Sequence, residues 1–185
     1  MPDLSRILMA TSPLTLASVA RGAQPLVMSD LARASAGRAV FIAPDEAAMR
    51  SIAEAAKFFA PELEVIEFPA WDCLPYDRAS PALSVSAKRL AALHRLQANN
   101  AGSQLLVTTA NAVLQRVLTP FRTRESVREF KRGTTIGHDS LSALLQRQGY
   151  SRTDTVVDHG EYALRGSIVD IFPSSLEQGL RLDFF

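Results

Sequence analysis

The sequence predicts an α/β domain with a parallel sheet over residues 1–120, followed by a small α+β domain with an antiparallel sheet over residues 121–185. Three observations predict this. Between residues 25 and 120, short apolar runs alternate with segments of helical period. After Pro120 the rhythm breaks and the chain becomes charged. From Thr155 to Phe185 no helical period remains, only short alternating stretches joined by Gly, Pro and Ser.

In the first part, Ala39–Ala43 is an apolar run of the kind buried on both faces of a parallel sheet. Asp45 is placed to cap the next helix, in which Met49, Ile52, Ala53, Ala56 and Phe59 recur at helical spacing until Pro61 stops it. Glu64–Phe68 reads as a second strand. A turn-rich stretch from Pro69 to Pro81 carries Trp71 and Tyr76, whose plain structural role is to pack on the sheet. Ser84–Gln97 reads as helix and Leu105–Thr109 as a third strand. Thr109 then caps a helix holding Val113, Leu114, Val117 and Leu118, which Pro120 ends. Strands separated by helices imply right-handed crossovers and a sheet covered on both faces.

In the second part, Leu141, Leu144 and Leu145 mark one amphipathic helix, capped near Asp139 or Ser140 and closed by Gly149. Val156–Val157, Tyr162–Leu164, Ser167–Phe172 and Leu180–Phe184 read as strands. The chain stops inside the last of these with two phenylalanines, so it reads as a piece of a longer polypeptide.

Composition narrows the function. The 185 residues include 47% hydrophobic and 21% charged residues, enough apolar surface for a core. The 20 basic and 19 acidic residues are spread evenly along the chain, unlike a protein devoted to neutralising nucleic-acid phosphates. One cysteine and three separated histidines give neither an intrachain disulfide nor a zinc pattern. No apolar run is long enough to span a bilayer. Asp3, Ser12, Pro13 and Thr15 spoil the faint likeness of residues 1–20 to a signal peptide, so the expected location is cytoplasmic.

No catalytic constellation emerges. A parallel sheet invites a nucleotide, but no Gly-Lys-Ser/Thr occurs. Ala20–Pro25, before the first long helix, offers only Gly22 for a phosphate cradle, and Pro25 removes a donor. No acidic pair follows a strand to hold a metal through water. Asp72 beside Cys73 opposes thiolate formation. His159 and Glu161 flank Gly160, which reads as a bulge or turn and not as the centre of an acid–base pair. What remains is a surface. Strand alternation puts Arg181, Asp183 and Phe185 on one face, and Arg165 ends a preceding strand. Arginine and aromatic side chains are frequent interface anchors; a solvated strand face is the plain alternative.

Trp71-Asp-x-Leu-Pro-Tyr-Asp77 with Ser80-Pro81, Gly160-Glu-Tyr-Ala-x-Arg-Gly-x-x-x-Asp-x-Phe-Pro173 and Arg181-Leu-Asp-Phe-Phe185 closely resemble signatures at the N-terminal end of the bacterial transcription-repair coupling factors. The likeness covers nearly the whole chain and weakens before Arg38. It implies a degenerate helicase-like (RecA-like) first domain similar to that of UvrB, then a small domain that binds UvrA. It implies UvrA contacts at Arg165, Arg181 and Phe185, with no cofactor, no metal and no catalytic residue in this part. RNA polymerase and DNA would be engaged only by domains further along the polypeptide. The apolar end at Phe185 suggests a further reading, an autoinhibitory domain that docks on the rest of its own polypeptide and masks the UvrA surface. The rival is UvrB, which has an intact phosphate loop and a long tyrosine-rich hairpin where this chain has Gly22–Pro25 and a short segment with Trp71 and Tyr76. A residual nucleotide-binding helicase-like domain is therefore the alternative. ATP titration decides it. A ligand at 100 times its dissociation constant adds about 2.7 kcal/mol, so the expected unchanged melting temperature is readily told from the clear rise that nucleotide binding would give.

Overall fold

A computed structural model of the chain describes residues 3–35, 37–74, 76, 78–98, 102–128, 130, 134–173, 176 and 178–184. In chain order the elements are α1 (Leu4–Leu8), a 3-10 turn (Arg21–Ala23), α2 (Gln24–Ala34), β1 (Arg38–Ala43), α3 (Glu46–Phe59), β2 (Glu64–Phe68), α4 (Leu83–Gln97), β3 (Gln104–Thr109), α5 (Ala110–Val113), α6 (Pro120–Ser126), α7 (His138–Arg147), β4 (Ser151–Arg152), β5 (Glu161–Arg165), β6 (Ile168–Ile171) and β7 (Leu180–Asp183). Their contacts group into two units. One holds Met1–Trp71 with Arg95–Val117, the other Asp72–His94 with Leu118–Phe185. The segment before Arg95 thus groups with the second unit, which no composition signal announced.

The first unit is built on a parallel sheet of order β1-β3-β2. Leu105 and Val107 of the central strand are fully buried. With Val65 and Ala43 they pack against Met49, Ile52, Ala53 and Ala56 of α3 and Ala32 of α2. The α3 helix begins where the sequence predicts: the Asp45 carboxylate accepts from the Ala48 N–H at 2.8 Å. The end of this sheet where the strands begin is polar. Arg38, Gln104 and Glu64 share a register row. Gln104 Oε1 accepts from Arg38 Nε at 2.8 Å, Gln104 Nε2 donates to Glu64 Oε2 at 2.7 Å, and Arg95 Nε donates to Glu64 Oε1 at 2.8 Å. Four side chains thereby tie three strands and the end of α4 into one hydrogen-bonded line.

Three expectations for this stretch are corrected. The face opposite α3 is covered only in part: Ile66 and Phe68 of β2 are buried there, whereas Val40 and Ile42 of the edge strand β1 are 49% and 53% exposed. The helix after Thr109 is only Ala110–Val113, although Thr109 does cap it. Val113, Leu114, Val117 and Leu118 are exposed and make no buried stripe. Pro120 starts a helix where the sequence suggested it ends one. It sits in the first turn of α6, where its missing N–H costs nothing, and Thr119 accepts from the Arg122 N–H.

The second sheet has the order β4-β5-β6-β7. It is mixed, not antiparallel as expected, because the two-residue β4 runs parallel to β5. The other two pairings are antiparallel. Val156–Val157, expected to be a strand, lies in the loop between β4 and β5. The α7 helix covers one face of the sheet. Leu141 and Leu145 pack on Tyr162, Val169 and Ile171, with Leu164, Leu182 and Phe184 at the margin. Its N-cap is Gly137, slightly before the expected Asp139 or Ser140, and Gly149 follows its end at φ +84°.

Replacing Gln104 by Ala would leave Arg38 and Glu64 without their shared partner. The expected loss is about 1–3 kcal/mol of stability, read from the urea midpoint of unfolding. An unchanged midpoint would contradict a structural role for this polar line.

Candidate protein-binding site

Period-two alternation sorts the second sheet into two faces. Tyr162 and Leu164, Val169 and Ile171, and Leu182 turn toward α7. Arg165, Asp170, Arg181 and Asp183 therefore occupy the other face. The two-residue Gly166–Ser167 loop sets this register. Gly166 has φ +61°, as a hairpin turn with glycine in its first central position requires, and it leaves Arg165 opposite Ile168. Across the next pairing, Ile168 faces Asp183 and Asp170 faces Arg181. Arg165 and Arg181 thus share an exposed face and line one groove of about 470 Å³ with Thr155, Val157, Asp170 and Phe172. Phe185, the third residue singled out in the sequence, lies outside the described residues.

The two arginines are held differently. Arg165 donates from Nη2 to the Asp154 carbonyl at 2.7 Å and to Thr155 Oγ1 at 3.1 Å, both neutral acceptors. Arg181 is paired with a carboxylate. Its Nε donates to Asp170 Oδ1 at 2.7 Å and its Nη2 to Asp170 Oδ2 at 3.0 Å, a two-point match across adjacent strands. This pairing holds the Asp170 carboxyl below the usual carboxylate range, with the Arg165 charge adding to the effect, and raises the Arg181 guanidinium.

The loop that receives Arg165 is itself braced. Glu161 Oε2 accepts from the backbone N–H groups of Val157 and Asp158 at 2.8 and 2.9 Å, and these bonds hold its carboxyl below the ordinary range. Glu161 is therefore a loop anchor. His159 stacks on Phe172 with ring centroids 4.1 Å apart. Between them Gly160 turns the chain at φ +83°. His159 and Glu161 thus each have a structural contact of their own.

The other sequence features resolve locally. Asp72 accepts from the Ala82 N–H and closes the loop around Tyr76, which is fully exposed and does not pack on a sheet as expected. Pro75 and Asp77 of that motif lie outside the described residues. A side chain added at Gly22 would meet nothing within 4 Å, so no close approach of the backbone demands glycine there. Among the described residues, no group of three or more His, Cys, Asp or Glu is arranged to hold a metal, and no helix is long and apolar enough to cross a membrane. Sequence reasoning missed Asp170 and the Glu161-braced loop. The Asp170–Arg181 register depends on the conformation of the segment between β6 and β7, which no local pattern encodes.

Residues 129–185, which hold this face, match the UvrB interaction domain. Over 92% of its length the chain is 31% identical to the transcription-repair-coupling factor of Haemophilus influenzae, and over 86% it is 34% identical to that of Escherichia coli. Over 63% it is 33% identical to that of Mycobacterium tuberculosis. It covers 15%, 14% and 10% of those proteins, respectively. Over most of its length the chain thus resembles a module of the transcription-repair coupling factors, and its residues 129–185 resemble the interaction domain of UvrB.

Glu161 and Asp170 give this unit a defined acid response. Their carboxyls are depressed in the folded state, so their contribution is present above the unfolded carboxylate pKa and is lost as pH falls through the lower folded values. The Glu161→Gln/Asp170→Asn double variant should be less stable than the parent at pH 7, and its melting temperature should fall less steeply in acid. Parallel acid profiles for the two proteins would contradict the assignment.

Proposed function

We propose that this chain is a recruitment module that binds UvrA and, within a longer polypeptide, brings nucleotide excision repair to a stalled RNA polymerase. One observation carries the reading: Arg165 and Arg181 share an exposed sheet face inside the segment that matches the UvrB interaction domain. Residues 121–185 hold the UvrA-binding surface, and the parallel sheet within residues 1–120 belongs to a degenerate helicase-like domain that hydrolyses nothing. The contacts are Arg165, Arg181 and Phe185. Among the described residues Arg165 donates to neutral acceptors, an arrangement that suits its guanidinium to meet a carboxylate of UvrA. Phe185 supplies the apolar anchor. RNA polymerase and DNA are engaged by other parts of the longer protein, and the rest of that protein is a partner able to cover this face.

Anchor residues commonly account for about 1–3 kcal/mol each. Arg165→Ala and Phe185→Ala should each weaken binding to purified UvrA by roughly that amount in titration calorimetry, with melting temperatures close to the parent's. Parent-like affinity in both variants would remove the site assignment.

A further inference from the structure

Asp170 lies at the centre of the charged face, between Ala163 of β5 and Arg181 of β7. Its side chain is only 16% exposed, whereas that of Arg181 is 64% exposed. Both carboxylate oxygens are spent on one edge of the Arg181 guanidinium, the edge formed by Nε and Nη2. A guanidinium has five N–H donors in a planar fork. The three that remain include both of Nη1, so the end formed by Nη1 and Nη2 is a second fork turned away from Asp170. A long exposed arginine with no such anchor samples many rotamers, and binding must then order it. We propose that Asp170 is a positioning residue of the partner-binding surface: it holds Arg181 side-on so that its end-on fork meets a carboxylate of the partner. The acceptors around Arg165 serve the same purpose on the neighbouring strand, in neutral form.

This inference rests on the UvrA reading, and a double-mutant cycle separates the two. Affinity for purified UvrA is measured for the parent chain, Asp170→Ala, Arg181→Ala and the double variant. Asp170→Ala should bind about 5–10-fold more weakly than the parent, yet cause no further loss in the Arg181→Ala background. Should Asp170→Ala fail to fold, Asp170→Asn takes its place in the cycle. A second readout needs no partner: the Arg181 Nε–H resonance should exchange slowly with solvent in the parent and rapidly in the Asp170 variant. Additive losses, parent-like or tighter binding by the Asp170 variant, or an Nε–H that exchanges equally fast in both would overturn the positioning role while leaving UvrA recruitment intact. A parent chain that does not bind UvrA would remove the recruitment reading and the inference with it.

Discussion

The charged face of the second sheet depends on what is buried behind it. A strand shows alternate residues to opposite sides, so a slip of one residue would exchange the two faces. Tyr162, Val169 and Ile171 are buried under Leu141 and Leu145 of α7, and that packing fixes which side chains turn outward. Arg165, Asp170, Arg181 and Asp183 are the complement of the core. The Gly166 turn then locks the first hairpin, because glycine adopts its positive φ without the steric cost borne by other residues. A core substitution that shifted this register would displace both arginines without touching either.

Charge on the face is balanced locally. Arg181 answers Asp170, and Asp183 adds to the field around Arg181. An arginine already held by a carboxylate is a rigid donor, and a rigid donor loses less freedom on binding than a mobile one. Recognition of this kind favours a partner whose acidic groups meet the forks at the right spacing over one that is merely acidic. The near-zero formal charge of the chain, +1, fits the same logic.

Much of the architecture was legible from local rules. Asp45 and Thr109 cap helices as their side chains allow, and the three strands of the parallel sheet sit on apolar runs. The failures also have physical causes. Pro120 is compatible with both the end and the start of a helix, and only the Thr119 cap decides between them. Val156 and Val157 have strand chemistry but sit in a loop pinned by Glu161 and Arg165, side chains close in space yet unmarked by any motif. Val40 and Ile42 look like core residues, yet they lie on the face of β1 opposite α3 and are exposed, whereas Ile66 and Phe68 on the same face of β2 are buried. For the site, alternation placed Arg181 and Asp183 together, whereas the pairing of Asp170 with Arg181 required the register across β6 and β7.

The central claim is that the outer face of the second sheet is where UvrA docks. Amide hydrogen exchange of this chain, alone and with saturating UvrA, tests it most directly. The account predicts slowed exchange in residues 154–158 and 180–184, with the β1-β3-β2 sheet unchanged. Protection confined to residues 38–68 and 104–109 would place the partner on the other unit and contradict the account.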